Sequence, residues 1–142
     1  MISVHQLLRI KGTELWTIAP GATVYEALEL LAEKNIGALP VVEAGQLVGI
    51  FSERDYARKV ILKGKSSRET MVWELMTTRV HHIKPTRGLQ ECMKLMTDKR
   101  IRHLPVMDNG SLVGMITIGD VVNYRLKELE YEALRMKQMI VG

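Results

Sequence analysis

Sulfur chemistry is nearly closed to this chain, because its 142 residues include a single cysteine. One thiol, Cys92, excludes an internal disulfide, and no Cys/His set has zinc-ligand spacing, so no metal site is expected. Cys92 falls between Leu89 and Met96 in a helical pattern and reads as a buried small hydrophobe rather than a reactive thiol. Long apolar runs are also missing: none approaches the roughly 20 residues that span a bilayer. The N-terminal MISVHQLLRIKG has neither the apolar core nor the small-residue cleavage site of a leader. A soluble cytoplasmic protein without membrane contact is the expectation. Catalytic sets are absent too, since no carboxylate pair, Ser-His-Asp set or activated thiol can be assembled from adjacent motifs. His81 and His82 are neighbours on an extended segment, where successive side chains point to opposite faces and cannot easily share one ion. A non-enzyme with no catalytic cofactor follows.

What is present is enough apolar material, 46% of residues, for one compact core. The net charge of +4 and the pI near 9.3 favour an anionic partner without choosing among a nucleotide, a nucleic acid and a membrane surface. A solvated surface with a few extra lysines explains the same numbers. A nucleic-acid or protein-interaction module using this basic surface is the alternative function, although the basic residues are scattered. Aromatics make up only 5% of the chain, which leaves little for stacking on bases.

The organising feature is a duplication. IGALPVVEAGQLVGIFSERD, from Ile36, returns as IRHLPVMDNGSLVGMITIGD, from Ile101, and 105 − 40, 114 − 49 and 120 − 55 all equal 65 for the paired Pro, Gly and Asp. Two copies of a unit too small to close its own core should pack together about a pseudo-twofold axis and share that core. Such packing creates two related clefts.

Each copy reads as strand, helix, strand, strand, helix, an α+β pattern. Trp16–Ile18 is a short extended piece broken by Pro20-Gly21. Thr23 with Glu26 has capping-box spacing, and Val24, Ala27, Leu28 and Leu31 recur at helical period. Leu39–Val42 and Leu47–Phe51 form a hairpin pattern, whose second version turns through Asn109-Gly110, a pair suited to a type I′ turn. A second helix starts near Asp55 and its counterpart near Asp120. Residues 1–62 make the first repeat with its lead-in, 63–70 an exposed connector, 71–129 the second repeat, and 130–142 a helical tail. Val72-Trp73-Glu74-Leu75-Met76 is a second lead-in, matching that around Gln6-Leu7-Leu8. The tail carries too many apolar groups for a lone helix in water, so it packs on the body or on another subunit.

The chemistry concentrates where the last strand of each copy gives way to a helix: Ser52-Glu53-Arg54-Asp55 and Thr117-Ile118-Gly119-Asp120. The preceding Gly49 and Gly114 let something approach the backbone closely. A carboxylate there can accept two hydrogen bonds from a ribose diol, and the hydroxyl with helix N-terminal N–H groups suits a phosphate. Equally, Ser52 and Thr117 can be plain N-caps with the aspartates in the first turn. Arg102-His103 precede one strand where Gly37-Ala38 precede the other, so one cleft wall is basic and its counterpart bare. Arg54 can join the basic wall, whereas Gly119 stands in its place in the second copy.

The duplicated LPVV/LPVM and LVGI/LVGM strands with Gly-x-x-Ser/Thr-x-x-Asp elements resemble the CBS-domain family, specifically small stand-alone tandem pairs, or Bateman modules. The resemblance covers nearly the whole chain apart from the tail after about Leu129. It implies two β-α-β-β-α repeats packed about a pseudo-twofold axis and regulatory binding of adenosine-containing ligands, AMP, ADP, ATP, NAD(H) or S-adenosylmethionine, between them. Carried over by position, it gives Asp55 and Asp120 the ribose hydroxyls, and Ser52 and Thr117 a place near ribose or phosphate. Arg54, Arg102 and His103 fall at phosphate-contacting positions. Lys11, Gly12, Trp16, Ile36, Ala38, Thr77 and His81 fall beside the adenine. Gly37-Ala38 depart from the basic pattern, which implies one tight site and one weaker or differently selective site. The resemblance also implies a homodimer of such pairs and an unidentified protein target.

Overall fold

The structure, a computed structural model, describes residues 2–12 and 14–141, with Val141 described in its backbone only. Local sequence sets most of the helix boundaries. Helix α1 (Val4–Lys11) starts at a capping box in which the Ser3 hydroxyl accepts from Gln6 N–H and the Gln6 side chain accepts from Ser3 N–H. Helix α2 (Val24–Lys34) starts at the anticipated Thr23–Glu26 box and ends at Asn35, which takes the left-handed conformation at φ 53°. The hairpin β1 (Ala38–Glu43) and β2 (Gln46–Ser52) follows, then the short α3 (Glu53–Tyr56), prolonged by one wide turn, Ala57–Ile61. A single 3-10 turn, Val72–Glu74, leads into the second copy. That copy is α4 (Leu89–Lys99), β3 (His103–Asp108), β4 (Ser111–Thr117) and the 24-residue α5 (Ile118–Val141).

The duplication is kept in register. Val41 pairs with Gly49 and Val106 with Gly114, each hairpin is antiparallel, and each carries its irregularity after that valine. Both turns are left-handed at both central positions, Ala44-Gly45 at φ 49° and 77° and Asn109-Gly110 at φ 50° and 82°. The extended piece expected at Trp16–Ile18 is reduced to one residue. Ile18 bridges Val41 in parallel, donating to Pro40 O at 3.1 Å and accepting from Val42 N–H at 2.9 Å, before Pro20 ends the chance of more. Ile83 does the same beside Val106. The second helix of each copy begins at Glu53 and Ile118, two residues before the expected starts at Asp55 and Asp120, because Ser52 and Thr117 cap it.

One expectation is corrected. The repeats do not share one core: each has its own buried cluster, and each cluster is completed by the other repeat's lead-in. Val4, Leu7 and Leu8 of α1 pack with Leu89, Cys92, Met96, Leu104 and Ile116 of the second copy. Val72 and Leu75 pack with Val24, Leu31, Leu39 and Phe51 of the first. The exchange explains the two repeated glycines. A Cβ on Gly49 would sit 2.7 Å from Met76 Sδ, and one on Gly114 would sit 2.7 Å from Leu8 Cδ2. What approaches the backbone there is the crossing lead-in. Between the copies, walls of mixed apolar and polar groups leave two clefts.

Candidate ligand-binding site

At each strand-to-helix junction the capping arrangement forms. Asp55 N–H donates to Ser52 Oγ at 3.2 Å and Asp120 N–H to Thr117 Oγ1 at 3.1 Å. In return Asp55 Oδ2 accepts from Ser52 N–H at 3.0 Å and Asp120 Oδ2 accepts from Thr117 N–H at 2.9 Å. Capping uses one oxygen of each carboxylate, so the other decides what more the residue can do. Asp55 Oδ1 is paired with Lys59 Nζ at 3.1 Å, one turn along its own helix, and Ser52 Oγ also donates to its Oδ2 at 3.1 Å. Asp120 has no such neighbour, because the position matching Lys59 (124 − 59 = 65) is Tyr124, which packs on the apolar cluster. Its Oδ2 takes Lys11 Nζ at 2.6 Å instead, and Lys11 also donates to Met115 O at 2.6 Å. Among the described residues no hydrogen bond reaches Asp120 Oδ1 and none leaves the Thr117 hydroxyl.

The two clefts combine the copies crosswise. The larger, about 770 Å³, sets Thr117 and Asp120 of the second copy against Lys11, Gly12, Trp16, Ile36 and Ala38. The smaller, about 550 Å³, sets Ser52, Arg54 and Asp55 of the first copy against Thr77, Arg102 and His103. Ala38 and His103 line both. His81 is exposed and lines neither, because it lies beyond the segment that pairs with β2 through Thr77 and Ile50. Arg54 and Arg102 therefore belong to the Asp55 cleft alone, while His103 and the small Gly37-Ala38 wall face both clefts.

Three cations were not singled out from sequence as cleft residues or as partners of the aspartates. Arg100 lines the Asp55 cleft from the left-handed end of α4, at φ 53°, in the place that Asn35 holds in the first copy. Lys34 lines the Asp120 cleft with Nζ 4.0 Å from the Trp16 ring centroid, a cation–π contact. Lys59 holds Asp55. The substitution of Asn35 by Arg100 across the repeat was the available signal; lysines at helix ends gave none.

His103 is the titratable group common to both clefts. Burial, then the charges of Lys11 and Arg102, lower its pKa below the usual imidazole value, with Asp120 opposing. It is packed against the other copy's wall: a Cβ on Gly37 would lie 3.3 Å from His103 Nε2. Among the described residues no three His, Cys, Asp or Glu side chains converge on a point where a metal could sit, and no helix is long and apolar enough to cross a membrane.

Comparison with known proteins places this architecture. The CBS-domain family model matches residues 9–62 and 72–127. The chain is 40% identical over 136 residues to the mitochondrial CBS domain-containing protein CBSX3 of Arabidopsis thaliana, covering 92% of this chain and 66% of that protein. It is 37% identical to CBS domain-containing protein YhcV of Bacillus subtilis, covering 86% of this chain and 87% of that one. Among solved structures, a putative signal-transduction protein with CBS domains from Burkholderia ambifaria is 46% identical with a TM-score of 0.85, over 89% of this chain and 95% of its own. The crystal structure of the CBS domain NE2398 has the same TM-score at 40% identity, over 88% and 98%. With two family matches that follow the two structural repeats, the chain belongs to the CBS-domain family, as a tandem pair of CBS domains.

Proposed function

We propose that this CBS pair is a sensor rather than an enzyme, binding an adenosine-containing ligand in the Asp120 cleft and passing its occupancy to a protein target. The observation that carries this reading is the state of Asp120. One oxygen is fixed by the Thr117 amide and Lys11, and the other has no partner among the described residues, in a cleft large enough for a nucleoside phosphate. A ribose diol can donate to Asp120 Oδ1, with the Thr117 hydroxyl beside it. The base would lie along Ile36, Ala38 and Trp16. Lys11, Lys34 and His103 supply donors for a phosphate, and Lys11 can turn to it on its flexible stem.

The Asp55 cleft differs in kind. Its carboxylate is engaged on both oxygens, by Ser52 and Lys59, so it offers less to a diol, while Arg54, Arg100 and Arg102 favour anionic groups. One cleft selective for ribose and one selective for charge is the expected asymmetry. AMP, ADP, ATP, NAD, NADH and S-adenosylmethionine, titrated one by one in a calorimeter, test the reading. At least one should bind and raise the melting temperature, and Thr117→Ala with Asp120→Ala should abolish that response while Ser52→Ala leaves most of it. No heat and no thermal shift with any of the six would overturn it. Retention of a random oligonucleotide that weakens steeply with salt would point instead to phosphate-backbone binding.

A further inference from the structure

Helix α5 outruns the body it belongs to. Its first turns are anchored by Val121, which is 2% exposed, and by Tyr124 against the second apolar cluster. From Leu129 to Ile140 every residue is exposed. At about 1.5 Å per residue the 24-residue helix is roughly 36 Å long, and half of it stands in solvent, where a lone helix is marginal. About a quarter-turn round the helix from Val121 runs a continuous seam, Val122, Leu126, Leu129, Ala133, Met136 and Ile140, spaced 4, 3, 4, 3, 4. Those are the a and d positions of a heptad, and the large ones are 44–82% exposed.

We infer that this seam pairs in parallel and in register with the same seam of a second copy of this chain. The flanking charges carry the choice of occupant. With Leu126 at a, the g positions are Arg125 and Glu132 and the e positions are Glu130 and Lys137. In a parallel pair each g residue faces the e residue five positions on in the partner, which sets Arg125 against Glu130 and Glu132 against Lys137. Both contacts are opposite in sign, and the twofold axis repeats each one. Among the described residues Glu130, Glu132 and Lys137 form no ion pair of their own, so they are available. Arg125, held by Glu128 within one helix, exchanges partners. The seam begins on the body at Val122, so parallel pairing brings the two bodies to the same end of the helix pair, whatever their clefts bind.

Cysteine placement and charge exchange in the full chain test the inference. Ala133→Cys, at an a position, should give a disulfide-linked dimer under mild oxidation, and Gln138→Cys, on the outer face, should not. Glu132→Lys should weaken self-association roughly fivefold or more in sedimentation, because two attractive contacts become repulsive. Adding Lys137→Glu should restore it. Failure of Ala133→Cys to link, or a double variant as weak as the single one, would overturn parallel pairing. A chain that sediments as a monomer at every concentration would overturn pairing altogether.

Discussion

The exchange of lead-ins makes Cys92 a reporter for one half of the molecule. Its thiol is fully buried, and burial, with the Asp120 carboxylate second, pushes its pKa to about 11. Labelling with an aromatic disulfide at pH 8 must therefore pass through an opening of the second copy's cluster. Leu7 lies in that cluster at 2% exposure, although it precedes the first copy in sequence, while Leu75 lies in the first cluster at 4%. Truncating either to alanine costs about 2–4 kcal/mol. If the loss falls on the second cluster, about 2.8 kcal/mol raises its open population roughly a hundredfold, at one factor of ten per 1.4 kcal/mol. Leu7→Ala should speed Cys92 labelling by that order, and Leu75→Ala by less than about tenfold, at denaturant concentrations where neither variant is globally unfolded. Faster labelling in Leu75→Ala than in Leu7→Ala would mean that each lead-in packs on its own repeat. Equal acceleration would mean that the two clusters open as one unit, and either result refutes the reasoning.

Gly49→Ala should cost more than Gly114→Ala, about 2–3 against 1–2 kcal/mol in urea unfolding. The new Cβ at 49 lies 3.0 Å from Thr77 O, which Ile50 N–H holds at 2.9 Å, whereas the one at 114 meets only the movable Leu8 side chain; the opposite order would refute this account of the glycines. Ala44→Asn, which gives the first turn the residue found at 109, should raise stability by about 0.5–1 kcal/mol and Tm by about 2–4 °C. A calorimetric scan showing no rise would argue against left-handed strain at Ala44. His103 has a lowered pKa in the folded chain, so the unfolded state binds the extra proton first, and stability should fall as pH drops below the ordinary value of 6.5. His103→Gln should flatten that slope between pH 7 and 5, and an unchanged slope would place the titration elsewhere.

Features that depend on neighbours in sequence were legible in advance. The Thr23–Glu26 box, the Asn109-Gly110 turn and the constant offset of 65 each need only a few adjacent residues, and each reappears in the structure. The crossing of the lead-ins was not legible, because VHQLL and VWELM present the same apolar pattern to either copy. Only the spacing hinted at it: Val72 − Val4 and Leu75 − Leu7 are both 68, not 65, so the lead-ins are not in step with the repeats they precede. The site shows the same divide. Residues inside the repeated motif, Ser52, Asp55, Thr117 and Asp120, fall at the two cleft walls. Those set by helix ends, Lys34 and Arg100, depend on where α2 and α4 stop and how the copies face.

The two aspartates also receive their cations from different distances along the chain. Lys59 is one turn from Asp55 on the same helix, a local pair formed within one element. Lys11 reaches Asp120 from 109 residues away, at the end of the α1 lead-in whose Val4 and Leu7 help to close the second cluster. The residue matching Lys11 in the second lead-in (11 + 68 = 79) is Arg79, which is exposed and forms no ion pair among the described residues. A ligand that takes Asp120 competes with Lys11 or recruits it, and in either case it acts on the end of α1. In the Asp55 cleft the corresponding link is Lys59, which besides pairing with Asp55 donates to Leu75 O of the second lead-in at 3.0 Å. Under the sensor reading, occupancy of the Asp120 cleft is therefore felt through Lys11 in the N-terminal helix, and occupancy of the Asp55 cleft through Lys59 in the shorter lead-in that crosses the other way.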